Sequence, residues 1–246
     1  MREWNDIAVL APPGDIDIAS VPALRDEVDS LIDGGARRML INCSHVGFID
    51  STGLAFLLSR ARTLMNAGGM LSLVNVSAGV SRFLQIARML DILHVSAADK
   101  PPLPVLSPDE LPRWSKTVAV HEGIEHLGAY RHRVVELLED LPMSSEARFD
   151  TALAVGEALG NAYDHAAGMG CVMNMRAYRD RVVIEVCDRG CGFELAPDEE
   201  PAESEERGRG IRLMRLLVDS VEILRRADAQ GTMVRLIKLL DQQFSG

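Results

Sequence analysis

Five of the eleven prolines fall between Pro101 and Pro112, in the stretch DKPPLPVLSPDELPRW. Proline has no backbone N–H and restrains the residue before it, so this stretch can continue neither a helix nor a central strand. It reads as a semi-rigid extended connector of about 12–14 residues, with a reach of about 40 Å at roughly 3.1 Å per residue. The chain of 246 residues is therefore expected as two domains, residues 1–98 and 113–246, with 99–112 as the linker.

Composition narrows the classes. A hydrophobic share of 47% can bury two cores and excludes a disordered or collagen-like chain. The net charge is −10, with 8 basic and 10 acidic residues in 1–98 against 18 and 26 in the rest. An acidic chain is a poor match for nucleic acid, whose phosphates attract basic surfaces. No apolar run reaches the roughly 18–20 residues of a membrane helix, and the start, MREWNDIAVL, lacks a signal-peptide pattern. No membrane partner is expected. Cys43, Cys171, Cys187 and Cys191 form no CxxC pair, which argues against a zinc site or disulfide framework and for a reducing cytoplasm. Six acids within Asp198–Glu206 predict a solvated loop.

In the first half, the apolar runs 7–10, 39–42 and 71–76 read as strands. Helical stripes lie between and after them: Leu24, Val28, Leu31 and Ile32; then Leu54, Leu57, Leu58, Ala61, Leu64 and Met65; then Val80, Phe83, Leu84 and Ala87. Alternating strands and helices imply an α/β layer fold. A strand gives way to the second helix at Phe48-Ile49-Asp50-Ser51-Thr52-Gly53, where Ser51 could be no more than a helix cap. In context, the run Gly14–Ser20, then INCSHVGFIDSTGLAFLL, a Gly-Gly turn and LSLVNVSAGVSRFL resembles the STAS domain of bacterial anti-sigma factor antagonists. That resemblance implies a mixed sheet flanked by helices. It also implies that Ser51 is a phosphoacceptor for a partner kinase, with Thr52 the lesser candidate.

The second half predicts strands at 116–120, 171–178, 182–188, 221–226 and 232–239, and helices near 123–140, 146–166 and 210–219, an α+β pattern with antiparallel hairpins. Four short elements occur in order, each ambiguous alone. Glu157 and Asn161 are four apart and share a helix face, as a solvated polar stripe would. Asp188, with Gly190 and Gly192, follows a strand, as in an ordinary turn. Gly208-Arg209-Gly210 opens a helix, where free N–H groups suit phosphate. Gly231-Thr232 starts the last strand.

Together they resemble the N, G1, G2 and G3 boxes of the GHKL (Bergerat-fold) ATP-binding domain, an α/β sandwich. The phrases EALGNAYDHA and GRGIRLMRLLVDSVE look most like its anti-sigma factor serine kinases. The resemblance implies ATP and Mg²⁺ as cofactors. Glu157 would be the general base, Asn161 would give an oxygen to Mg²⁺, and Asp188 would accept from the adenine amino group. Gly190 and Gly192 would shape the nucleotide wall, Gly208 and Gly210 would close over the phosphates, and Thr232 would complete the pocket. Arg207 and Arg209 are both candidates for the γ-phosphate. His165, at a position where these kinases often have histidine, reads as structural.

A STAS-like unit fused to a kinase-like unit suggests partner switching. One reading is an ATP-dependent serine kinase that modifies a STAS serine, Ser51 in cis or another in trans, and so controls a sigma factor or other regulator. The alternative is a non-catalytic, ATP-gated binding or scaffold module. By resemblance the partners would be a sigma factor, a STAS antagonist or a phosphatase, and a homodimer is an expectation.

Overall fold

The computed structural model describes residues 7–90, 92–96, 100, 103–107, 109–120, 127–166, 170–196, 199, 206–226 and 230–241, without the side chains of Glu206 and Arg207. The chain forms two compact units, Met1–Pro101 and Pro102–Gly246.

The first unit alternates strands and helices as the apolar spacing predicts: β1 (Ile7–Leu10), α1 (Val21–Asp33), β2 (Arg38–Asn42), α2 (Ser51–Asn66), β3 (Met70–Val74) and α3 (Ala78–Ile86). The described strands pair in parallel in the order β1-β2-β3, each crossover being a helix. Such a sheet is covered on both faces, which is why Met39, Leu40 and Ile41 in β2 are all buried. The outer edge of β3 is occupied too. Leu73 N–H donates to Leu93 O at 3.1 Å, and Ser96 N–H donates to Leu73 O at 2.9 Å. This blunts an edge that could otherwise pair with another chain.

The second unit comprises β4 (Trp114–Val120), α4 (Leu127–Leu138), α5 (Ser145–His165), β5 (Cys171–Ala177), β6 (Arg181–Cys187), α6 (Glu206–Leu217), β7 (Ser220–Arg225) and β8 (Thr232–Leu239). Its sheet is antiparallel, in the order β4-β5-β6-β8-β7. Side chains alternate across it. Met173, Met175, Val182, Ile184, Val186, Val234 and Leu236 form a buried face. Against it packs α5, whose residues Thr151–Gly160 are buried apart from Glu157. The opposite face carries a polar row across all five strands, Thr117, Asn174, Glu185, Arg235 and Glu222. Glu185 there accepts from Arg176 at 2.5 Å and from Arg235 at 2.9 Å.

Two features differ from the sequence expectation. The proline stretch is not a free tether along its length. Leu103 and Leu106 pack on Tyr178, Val183 and Ile237, and Arg181 Nη2 donates to Pro104 O at 2.7 Å. The two leucines have apolar surface to bury, and the buried Arg181 guanidinium needs acceptors. The third helix of this unit begins at Glu206, so Gly208 and Gly210 lie inside α6 rather than ahead of it. Packing overrides their poor helix propensity, since both are buried. Residues 121–126, with His121 and His126, and most of the acidic run Asp198–Glu206 lie outside the described residues.

Candidate functional site

Each unit brings its own set of residues together. In the first, the N-terminus of α2 is capped by Asp50, not Ser51: Gly53 N–H donates to Asp50 Oδ1 at 2.7 Å. The other carboxylate oxygen accepts from Ile18 N–H at 3.0 Å. Gly53 has to lack a side chain, because a Cβ there would collide with Ile16 O. Asp15 Oδ1 accepts from Gly47 and Phe48 N–H, both at 2.9 Å. The backbone of Ala19 and Ser20 likewise donates to Asp17, and hydrogen bonds from Ser20 and Ala19 hold the Asp17 carboxyl below its usual range. The acids around the motif thus brace two loops together. Ser51 stays exposed at the first helical position, relieved of capping, whereas Thr52 is half-buried. Ile18, 71% exposed, and Phe48, 56% exposed, give this face an apolar surface.

In the second unit, α5 carries Glu157, Asn161 and His165 one turn apart. Gly210 of α6 lies over the first two. A Cβ on it would stand 2.8 Å from Glu157 Oε2 and 3.4 Å from Asn161 Nδ2. Burial raises the Glu157 carboxyl above its usual range, and the positive charges of Arg209 and Arg131 oppose that rise. At the end of α5, the His165 carbonyl so nearly touches Gly190 that a Cβ at 190 would collide with it. That contact is made by the backbone and leaves the part played by the His165 imidazole undecided by it.

Asp188, just past β6, is buried. Its Oδ1 accepts from Gly190 N–H at 2.8 Å and Thr232 N–H at 3.0 Å, while Asp188 N–H donates to Thr232 O at 3.0 Å. Both side-chain bonds fall on one oxygen, so Oδ2 remains as a second acceptor. Thr232 Oγ1 accepts from Phe193 N–H at 3.2 Å. Gly192 has φ +79°, and Gly231, at φ +127°, leaves no room for a Cβ beside Asp188 O.

The predicted residues therefore form two neighbouring clusters joined by α5: Glu157, Asn161, Arg209 and Gly210, and Asp188, Gly190, Gly192 and Thr232. Gly208 is in the first turn of α6, and the Arg207 side chain is outside the described residues. Among the described residues no three His, Cys, Asp or Glu side chains gather as a metal site. A cation here would need oxygens from a ligand beside Asn161.

Sequence reasoning missed two contributors, Arg226 and Arg131, and gave Gly231 no more than a turn. Arg226 Nη1 donates to Asp188 O at 3.2 Å and steadies that turn. Gly231 is required by the close approach to Asp188, not merely by a turn. Arg131 is a charge on the stripe Leu127, Val134 and Leu138, and an arginine on a buried stripe was the available signal.

Comparison with known proteins gives the following. Residues 1–99 match the family model of the STAS domain, and residues 121–238 match that of the histidine kinase-like ATPase domain. An anti-sigma-B factor antagonist of Bacillus subtilis is 36% identical over 93 residues, covering 38% of this chain and 84% of the relative. One from Staphylococcus aureus is 28% identical over 83 residues, covering 34% and 77%. A crystal structure of a putative anti-sigma factor antagonist from Thermotoga maritima is similar at 22% identity, covering 37% of this chain and 78% of that one, with a TM-score of 0.35. Among the described residues no helix is long and apolar enough to cross a membrane.

Proposed function

The chain belongs to the anti-sigma factor antagonist family through its STAS domain, and from that premise we propose that it is a partner-switching regulator whose ATPase domain is a protein serine kinase. The kinase acts on a STAS serine of the Ser51 type. The observation that supports this best is the placement on α5 of Glu157 and Asn161 beside the Asp188 turn. It sets a carboxylate base within one helix of a carboxylate suited to an adenine amino group.

ATP would supply the phosphoryl group, and Mg²⁺ would offset the charge of its phosphates. Asp188 Oδ2 holds the adenine edge while Oδ1 stays committed to the backbone. Asn161 offers an amide oxygen to the cation, and Gly208 and Gly210 let α6 approach the phosphates. Glu157 takes the proton of the acceptor hydroxyl, the step for which a buried, raised carboxyl is suited. On the acceptor side, phosphate on Ser51 adds about −1.5 to −2 charges beside Asp50 and Asp17. A partner docked on Ile18 and Phe48 is then repelled, which is the switch. The partners fitting this scheme are a sigma factor or a STAS antagonist, with a phosphatase to reset Ser51. The kinase unit would act as a homodimer.

The test is incubation of the purified chain, alone and with a separate STAS domain, with labelled ATP and Mg²⁺. Label on serine that Glu157→Ala abolishes is the expected result. Label on the chain itself that Ser51→Ala removes assigns Ser51 as acceptor. Nucleotide binding without transfer in any combination would leave an ATP-gated binding module instead.

A further inference from the structure

Three strands of the second sheet end side by side at the Asp188 turn. Asp188 lies just past β6, Gly231 just before β8 and Arg226 just past β7. β8 runs between the other two, so Asp188 and Arg226 stand two strand spacings apart, roughly 10 Å at the backbone. Arg226 holds both neighbours across that width. Its backbone N–H donates to Gly231 O at 3.1 Å, which continues the β7–β8 ladder by one step. Its Nη1 reaches on to the end of β6 and donates to Asp188 O at 3.2 Å. The missing side chain of Gly231 is what lets the Asp188 carbonyl stand so close to β8.

These bonds complete the hold on Asp188. Its N–H donates to Thr232 O, its Oδ1 accepts from Gly190 and Thr232 N–H, and its carbonyl accepts from Arg226. The atom left over is Oδ2. The chain beyond Asp188 contains Gly190 and Gly192, whose backbone freedom is the largest of any residue, so the loop itself does little to fix that carbonyl. A tie from outside the loop does. Only a side chain as long as arginine or lysine spans the distance, and a charged donor makes the stronger bond.

We propose that Arg226 is a positioning residue for base recognition: it clamps the ends of β6 and β8 so that Asp188 Oδ2 faces the amino group of adenine. This deepens the nucleotide part of the proposed function and rests on it. Arg226 acts here through the Asp188 carbonyl and not on the ligand. Hydrogen bonds weaken steeply with lost alignment, and a site that reads one polar group discriminates only while its acceptor is aimed. The signature of a lost clamp is therefore lost selectivity for the amino group, not a general loss of affinity.

Arg148 supplies the control. Its Nε and Nη2 donate to Met143 O at 3.2 and 3.0 Å, a brace of the same kind. It lies roughly 25 Å along α5 from His165, the end of the helix beside Gly190.

The experiment measures calorimetric binding of the full chain, with Mg²⁺, to ADP and to purine riboside 5′-diphosphate, which lacks the amino group. The wild type is expected to prefer ADP at least about ten-fold. Arg226→Met is expected to cut the preference below about three-fold, mainly by weakening ADP. Arg226→Lys, which keeps a charged donor on a long stem, is expected to recover part of it. Arg148→Met is expected to lower the melting temperature and keep the wild-type preference. A wild-type preference in Arg226→Met, or equal weakening of both nucleotides, overturns the assignment. Should Arg226→Met not fold, Arg226→Lys decides: a reduced preference supports the clamp and an unchanged one overturns it. Wild-type protein that binds no nucleotide overturns both this inference and the kinase reading. Wild-type protein that binds the two nucleotides equally overturns this inference and the role of Asp188 in reading the base. Wild-type protein that prefers ADP but transfers no phosphate from ATP overturns only the kinase reading, because the ratio of the two affinities still decides Arg226.

Discussion

In the first unit the motif residue Ser51 is exposed and structurally idle, while its neighbour Asp50 ties the helix start to Ile18. In the second unit Asp188 is buried, with one oxygen committed to Gly190 and Thr232, and in the proposed reading it would do both jobs. Separating the reactive group from the group that holds the fold suits a residue that is modified, since added charge then disturbs little. Combining them suits a residue that recognises a ligand, because burial sharpens its hydrogen bonds and the backbone fixes its aim.

Mutations can break that contrast. The largest effect is expected from Asp188→Ala, which removes the proposed ligand acceptor and leaves the half-buried Gly190 N–H and the buried Thr232 N–H unpaired, the latter at about 1–3 kcal/mol. Nucleotide affinity should fall by about a hundred-fold or more, and the melting temperature should fall with it. If affinity holds while the melting temperature drops, Asp188 is a fold residue only.

Next come Gly53→Ala and Gly190→Ala, each forcing a methyl into a backbone carbonyl at about 1–3 kcal/mol by chemical denaturation. The first should leave nucleotide binding intact and the second should abolish it. Asp50→Ala loses a cap worth about 1 kcal/mol. Ser51→Ala, by the same denaturation assay, should change stability by less than about 0.5 kcal/mol. Equal costs for Asp50→Ala and Ser51→Ala would show that the serine shares the capping.

The smallest effect is chemical. Burial pushes the Cys43 thiol up to about 12, and burial with the charges of Asp188 and Cys187 pushes Cys171 to about 11. A raised value means neutral thiol at mildly alkaline pH, so both should resist a thiol reagent until the chain unfolds. Exposed Cys191, in the Asp188 loop, should react first, and bound nucleotide should slow it.

Much of the fold was legible because apolar spacing is a local signal. The stripes at Leu24–Ile32 and Leu54–Met65 became α1 and α2, and the runs at 39–42 and 71–76 became β2 and β3 within one or two residues. The start of α6 was not legible, since its two glycines read as loop, and only the folded chain sets Gly210 against Glu157 and Asn161 within a helix. The anchoring of Leu103 and Leu106 was hidden for a similar reason. Their partners, Tyr178, Val183 and Ile237, are more than seventy residues away in the chain.

The sequence by itself determined the division near the proline stretch, the alternation of elements and the residue types of both motifs, because proline geometry, hydrophobic period and motif spacing act over a few residues. Only the tertiary structure decided which residue of the Asp50-Ser51 pair caps the helix, why Gly53, Gly190 and Gly231 must be glycine, and that the charge of Arg131 acts on Glu157. Those depend on which backbone carbonyl or neighbouring helix lies a few ångströms away, and in each case the neighbour comes from another segment of the chain.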